Sequence, residues 1–137
     1  MQTFSSGGAR IAFMDAGEGD PILLIHGFAS SAKDNWIDPG WVGFLNQNGF
    51  RVIAIDNRGH GESEKLYDPT AYAAPLMAED ARALLHHLGI GRADVMGYSM
   101  GARITAFLAL KHPDRVRSAI FAGLGGNMVR PMAGTGP

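Results

Sequence analysis

The sequence predicts an α/β protein whose sheet is mostly parallel. Short apolar runs alternate along the chain with longer segments in which apolar residues recur at helical spacing. The apolar runs lie at 22–25, 51–55, 94–96 and 116–122. Strands that are apolar on both faces are typical of the interior of a parallel sheet. Their alternation with helices requires right-handed crossovers between parallel strands.

Composition limits the class of protein. The 137 residues suffice for one domain, and 46% hydrophobic with 18% charged residues is typical of a globular chain. A net charge of −1, without a cluster of Lys or Arg, argues against a nucleic-acid partner. The chain has no cysteine, which excludes a disulfide framework and a thiolate metal site, and we expect no metal.

Targeting signals are not evident. The first six residues lack the basic start and apolar run of a signal peptide. No apolar stretch approaches the ~20 residues that cross a bilayer. We therefore expect a cytoplasmic protein without a membrane partner.

Local signals predict the first elements of the chain. An alternating segment at 10–16 predicts an edge strand, with a paired strand around Phe4. We expect a polar loop at 30–35 and a helix at 36–48 that is closed by the following glycine.

The next helix is predicted to begin near Pro75 and to end at Gly89. Glu79 and Asp80 are expected early in this helix, where acidic side chains interact favourably with its dipole. Its predicted apolar face consists of Met77, Ala81, Leu84, Leu85 and Leu88.

A last helix is expected to follow Ser99 and to end near His112. Its apolar face is predicted to contain Ile104, Phe107 and Leu108, with either Ala106 or Leu110. The segment from Gly123 to Pro137 is rich in Gly, Met and Pro without a period, which predicts loop or tail. We expect residues 1–126 to belong to one core domain and 127–137 to form a loop or tail.

The segment Gly97-Tyr98-Ser99-Met100-Gly101 carries the main functional signal. It lies between a predicted strand and a predicted helix, the context of a nucleophile elbow. Gly97 and Gly101 lack a Cβ, which permits a turn so tight that the serine takes a strained conformation. Ser99 is therefore the candidate catalytic nucleophile, and it would lie at a helix N-terminus that favours negative charge.

Loops after the other strands should meet Ser99 at the same edge of the sheet, because functional loops of parallel sheets lie at the strands' carboxyl ends. The backbone N–H groups of Phe28 and Met100 are the candidate donors of an oxyanion hole. Gly27 permits close approach of the backbone there. His26 is interpreted as a side chain that shapes this loop, and catalysis is the less favoured alternative.

Three motifs together resemble the α/β-hydrolase superfamily, in particular its esterase, enol-lactonase, perhydrolase and C–C hydrolase branch. They are 26–29 (HGFA), 56–63 (DNRGHGES) and 97–101 (GYSMG). The resemblance covers about residues 3–126 and implies a three-layer fold and a serine hydrolase without a cofactor. A serine rather than an aspartate at position 99 disfavours the haloalkane dehalogenase and epoxide hydrolase branches.

The same resemblance implies roles for the loop at 56–63. Asp56 and Arg58 are expected to shape it by pairing with each other. His60 is expected to pack near the edge that carries Ser99, and a catalytic role for it is the less favoured alternative.

The catalytic acid and base have no evident candidates. The family order is Ser, then Asp or Glu, then His. After Ser99 the acidic and histidine residues are Asp114 and His112. Both lie at the far end of the predicted helix, roughly 20 Å away at 1.5 Å per residue. His86 and His87 end a helix that runs away from this edge.

The resemblance therefore covers an incomplete fold, which lacks the cap and the last two strands. We expect a C-terminal fragment of the same protein, or a second copy of the chain, to be its partner. The apolar strand at 116–122 would then form an exposed edge that can pair with another chain. The alternatives are a naturally short protein that dimerises and a hydrolase-fold protein that binds a small hydrophobic ligand without turnover.

The expected reaction of the complete enzyme is hydrolysis of an ester-like acyl substrate through Ser99. Four nearby side chains indicate either an apolar acyl site or simple packing. They are Phe28, Trp36, Tyr98 and Met100.

Overall fold

A computed structural model describes residues 1–123, and six strands of this part form one sheet. The strands are β1 (Gln2–Ser6), β2 (Ala9–Ala16), β3 (Asp20–Ile25), β4 (Phe50–Ile55), β5 (Ala93–Tyr98) and β6 (Val116–Ala122). Their spatial order is β1-β2-β4-β3-β5-β6. The four strands from β4 to β6 pair in parallel, whereas β1 and β2 are antiparallel to their neighbours. This confirms the predicted fold class.

Helical segments connect the strands. In chain order they are a π-helical turn (Lys33–Ile37), α1 (Trp41–Gln47), a 3-10 turn (Pro69–Tyr72), α2 (Ala74–His87), α3 (Met100–Lys111) and a second 3-10 turn (Pro113–Arg115). No helix within residues 1–123 is long and apolar enough to cross a membrane.

One helix start, and the position of two acidic residues in another helix, differ from the sequence prediction. The predicted loop at 30–35 contains the beginning of the π-helical turn, and α1 begins only at Trp41. Pro39 lacks a backbone N–H and Gly40 takes φ 96°, so no helix continues through them. Helix α2 begins at Ala74 with Pro75 in its first turn, as predicted. Glu79 and Asp80 both lie beyond that turn, so they do not act on the helix dipole as expected.

The core forms two layers, one on each face of the sheet. One face packs against α2 and α3, and its cluster includes Leu23, Ile25, Ile53, Ile55 and Val95. The other packs against α1, and its cluster includes Ile22, Leu24, Val52, Ala54 and Met96. Strand residues alternate between the two clusters, as the pleat requires, so the interior strands are apolar throughout.

The far side of the sheet ends at β6, which pairs with β5 within the described residues. Ile120 and Phe121 of this strand are 46% and 43% exposed. On α3, Leu110 is 81% exposed, so it is not part of the buried helix face. The predicted tail at 127–137 lies outside the described residues.

Candidate active site

Ser99 lies in a strained turn between β5 and α3. Its backbone has φ 56° and ψ −114°, a conformation that residues with a side chain rarely adopt. A Cβ on Gly97 would overlap the carbonyl of Gly101, and a Cβ on Gly101 would overlap the carbonyl of Ile25. The turn therefore requires glycine at both positions.

Backbone hydrogen bonds on both sides hold Ser99 in place. Its N–H donates to the carbonyl oxygen of Ala122 at 2.9 Å, and its own carbonyl accepts the N–H of Ala102 at 2.9 Å. Within residues 1–123, no group hydrogen-bonds to the Ser99 hydroxyl. The side chain is thus presented at the N-terminus of α3 at the carboxyl edge of the sheet.

The loop after β3 passes close to Ser99. A Cβ on Gly27 would lie 3.4 Å from the Ser99 Cβ and 3.3 Å from the carbonyl oxygen of Tyr98. In the described chain, the backbone N–H groups of Phe28 and Met100 have no hydrogen-bond acceptor. An oxyanion hole requires two backbone N–H donors of this kind near the nucleophile.

Both ring nitrogens of His26 are used within the protein. Nδ1 donates to the Gly27 carbonyl oxygen at 2.7 Å, and Nε2 accepts the N–H of Asn57 at 2.9 Å. Burial lowers the pKa of His26 to about 4. A neutral ring with no free lone pair holds the loops after β3 and β4 together and leaves no site for a proton from Ser99.

The Asp56 carboxylate also connects the loops after β3 and β4. One carboxylate oxygen accepts the N–H of Ala32 at 2.8 Å, and the other accepts the N–H of Glu62 at 2.9 Å. The residue is 2% exposed. Its contacts are therefore with the backbone of the two loops.

The expected pairing of Asp56 with Arg58 is wrong. Arg58 instead pairs with Asp80 of α2, through Nε to Oδ2 at 2.7 Å and Nη2 to Oδ1 at 2.8 Å. Asp80 also accepts the Ser6 hydroxyl at 2.6 Å. Each Asp56 oxygen accepts one backbone N–H from the loops, whereas the Asp80 carboxylate faces the guanidinium with the planar pair of oxygens that it matches.

His60 lies on the loop after β4, near the loop after β3. Its ring centroid is 5.1 Å from that of His26 and 5.9 Å from that of Phe28. Nδ1 donates to the carbonyl oxygen of Arg58 at 2.9 Å.

The other histidines lie away from this edge. His112, at the C-terminal end of α3, has its Nε2 2.6 Å from a carboxylate oxygen of Glu79. His87 stacks on Phe4 with ring centroids 5.2 Å apart. Within residues 1–123, the structure thus places no free acid–base pair next to Ser99.

The apolar neighbours of Ser99 divide into two groups. Phe28 and Tyr98 are 70% and 47% exposed beside it, so their rings can contact a ligand. The side chains of Trp36 and Met100 are 4% and 2% exposed and belong to the two core clusters. For these two, packing is the correct interpretation.

Asp80 and Asn35 support the site, although the sequence predicts no such role for either. The Asn35 side chain accepts the N–H of Gly27 at 2.8 Å and so orients the loop that carries Phe28. Asp80 had a usable signal, because it lies on the same helix face as Met77 and Leu84. A carboxylate on an apolar face requires a buried partner.

Comparisons with known proteins identify the family. The family profile described as the alpha/beta hydrolase fold matches residues 20–135. The chain therefore belongs to the α/β-hydrolase fold family.

Curated relatives include several hydrolases. Rattus norvegicus bifunctional epoxide hydrolase 2 is 37% identical over 112 residues, which cover 81% of this chain and 20% of the relative. Pseudomonas putida 2-hydroxymuconate semialdehyde hydrolase is 38% identical over 85% of this chain and 40% of the relative. Rhodococcus erythropolis non-heme haloperoxidase is 37% identical over 87% of this chain and 42% of the relative.

Solved structures give the same result. Vigna radiata epoxide hydrolase superposes with a TM-score of 0.82 at 26% identity, over 88% of this chain and 37% of that one. Epoxide hydrolase A of Mycobacterium thermoresistibile gives a TM-score of 0.78 at 29% identity over the same shares of the two chains. The chain thus spans less than half the length of these relatives.

Proposed function

We propose that the chain carries the nucleophile and the oxyanion hole of a serine hydrolase that acts on ester-like acyl substrates. The observation that carries the proposal is the strained backbone of Ser99, at φ 56°, between two glycines where a Cβ would overlap a backbone carbonyl. Such strain persists only where the surrounding structure enforces it, and it concentrates at functional sites. The unpaired N–H groups of Phe28 and Met100 support it.

The proposed reaction proceeds through an acyl-enzyme. The Ser99 oxygen bonds to the carbonyl carbon while its proton passes to a base, and the carbonyl oxygen becomes an anion held by the two N–H groups. The leaving alcohol departs with a proton, and water then attacks the acyl ester to release the acid and restore Ser99. Each oxyanion donor contributes roughly 3–4 kcal/mol of transition-state stabilisation.

An acyl substrate fits a serine better than an epoxide does, although several relatives are epoxide hydrolases. Serine attack on an epoxide carbon forms an ether, which has no carbonyl for water to attack, so the enzyme would not turn over. Attack on an acyl carbon forms an ester that water resolves. The chemistry of Ser99 therefore favours esters and related acyl compounds.

The base and acid are proposed to come from a partner polypeptide. His26 has no free lone pair, and His112 is bonded to Glu79. His60 has a free Nε2, but within residues 1–123 it makes no hydrogen bond to Ser99. A C-terminal polypeptide of the same protein, or a second copy of the chain, could supply both groups. On this proposal the chain alone has little activity.

Labelling by a fluorophosphonate tests the nucleophile directly. We expect slow formation of an adduct on the peptide that contains Ser99, and faster labelling when imidazole in solution replaces the missing base. Ser99→Ala should abolish the adduct, and Ser30→Ala, which removes a serine from the neighbouring loop, should leave it unchanged. Mass spectrometry of the digested chain measures both.

The second candidate function is binding of a small hydrophobic ligand without turnover. Within residues 1–123 no base is hydrogen-bonded to the Ser99 hydroxyl, which favours this candidate. Folded protein that stays unlabelled at high imidazole, or labelling that persists in Ser99→Ala, would contradict the hydrolase proposal. The first of these results would support the binding protein.

A further inference from the structure

Beside the candidate active site lies an open cleft of about 440 Å³. It is bounded by the loops after β3 and β4, the 3-10 turn and α2. Its walls include Phe28, Ala29, His60, Pro69, Tyr72 and Met77. The volume lies within the range of about 300–1,000 Å³ that is typical of small-molecule sites.

Two of the side chains in the wall of this cleft, Tyr72 and His60, are polar. The Tyr72 hydroxyl donates to the carbonyl oxygen of Leu66 at 2.6 Å and accepts the Leu66 N–H at 2.8 Å, so it is fully used. The other polar side chain in the wall is that of His60. Its Nδ1 is bonded to the carbonyl oxygen of Arg58, but within residues 1–123 its Nε2 has no partner.

The bond to Arg58 determines what the free nitrogen of His60 can do. A carbonyl oxygen only accepts hydrogen bonds, so Nδ1 of His60 carries the hydrogen. In the neutral ring, Nε2 then carries a lone pair and accepts a hydrogen bond. The bidentate pair of Arg58 with Asp80 fixes the backbone that holds this ring.

We propose that the cleft binds an apolar group that carries a hydroxyl, and that this hydroxyl donates to Nε2 of His60. The exposed side chains of Phe28 and Pro69 contact the rest of the group. A hydroxyl fits the lone pair of His60, whereas an ether of the same shape would leave it unpaired in a mostly apolar site.

One part of this proposal rests on the proposed function, namely that the group bound in the cleft belongs to the substrate of Ser99. The cleft begins at Phe28, whose backbone N–H is the candidate oxyanion donor. The hydroxyl-bearing group is therefore part of the ester that Ser99 attacks. Binding to the cleft does not itself require the Ser99 hydroxyl.

Matched ligands test the hydrogen bond in the native chain. We expect 4-propylphenol to bind about fivefold more tightly than 4-propylanisole at pH 8, where imidazole groups are largely neutral. His60→Phe should remove this preference and leave the affinity for 4-propylanisole unchanged. His86→Phe, an exposed histidine at the end of α2, is the matched control and should retain the preference. Isothermal titration calorimetry measures all six affinities.

NMR of the native protein with methyl-labelled methionine tests where the ligand binds. The Met77 methyl resonance should shift on saturation with 4-propylphenol, while that of Met14, on β2, should not. Equal affinity of the two ligands, a preference that survives in His60→Phe, or an unshifted Met77 resonance would each overturn the proposal. Ser99→Ala should bind both ligands as the native chain does. Failure of the native chain to react with the fluorophosphonate would therefore contradict the hydrolase proposal while leaving the cleft proposal intact.

Discussion

Arg58 and Asp80 form a bidentate ion pair that ties the loop after β4 to helix α2. Their side chains are 10% and 2% exposed, and the two hydrogen bonds measure 2.7 and 2.8 Å. Arg58 also donates to the carbonyl oxygen of Ala71 at 3.0 Å. The loop that carries His60 is thus held by contacts with residues distant in sequence.

Removal of the Asp80 charge should therefore destabilise the fold strongly. Asp80→Asn leaves the guanidinium of Arg58 without a counter-charge, and we expect a loss of about 3 kcal/mol in the free energy of unfolding. Urea denaturation at pH 7 measures it. Asp38→Asn breaks the exposed pair with Lys33 and should leave the urea midpoint unchanged. Equal effects of the two substitutions would show that burial of the Arg58 pair is unimportant.

The elbow glycines provide a second prediction. A Cβ at Gly101 would overlap the backbone carbonyl of Ile25, which cannot move without disturbing β3, so Gly101→Ala should cost about 3 kcal/mol. Gly43 of α1 has open space around its Cβ position, and Gly43→Ala should stabilise the protein by about 0.5–1 kcal/mol. Thermal unfolding measures the stability of the two variants. A Gly101→Ala variant as stable as the native chain would contradict the described turn.

Burial of His26 makes stability depend on pH. The pKa is lowered from 6.5 to about 4 in the folded chain, so the unfolded chain binds more protons between these values. The stabilisation is full above pH 6.5 and is lost as the pH falls towards 4. Between pH 7.5 and 5.0 we expect a loss of about 2 kcal/mol in the free energy of unfolding.

The control for this pH effect is His26→Gln, which cannot titrate. Its free energy of unfolding is expected to be lower at pH 7.5 and nearly constant down to pH 5.0. The carboxylates of Glu79 and Asp94, whose pKa values are lowered by hydrogen bonds and ion pairs that outweigh their desolvation, contribute to stability loss only at lower pH. A slope that persists in the variant would assign the effect to other groups.

The exposed strand β6 should promote self-association. Ile120 and Phe121 are nearly half exposed on a strand at the end of the sheet. We expect light scattering to show dimers or larger species whose fraction rises with concentration. Phe121→Lys should reduce that fraction severalfold, because a charge on an edge strand opposes pairing.

Leu110→Lys is the matched control for this edge. Leu110 is 81% exposed on α3, away from the strand's free side, so its replacement should change association little. A chain that stays monomeric at all concentrations would argue against the edge as a contact with a second copy.

The sequence by itself determined the strands, the parallel core and the position of the elbow. Interior strands such as Leu23–Ile25 are apolar on both faces. The two glycines around Ser99 are required because the tight turn leaves no space for a Cβ. Both signals depend on neighbours in the sequence. This is why β6 was predicted with its bounds, and why the turn at Ser99 could be placed before the backbone angles were known.

Only the tertiary structure decided which polar groups support the candidate site. Whether Arg58 pairs with Asp56 or Asp80 depends on which carboxylate the folded chain brings opposite the guanidinium, and the sequence does not record that. The two bonds that leave His26 without a lone pair likewise join residues far apart in the chain. Local steric rules fix where a turn must be, but hydrogen-bond partners in a folded core are chosen by the packing of distant segments.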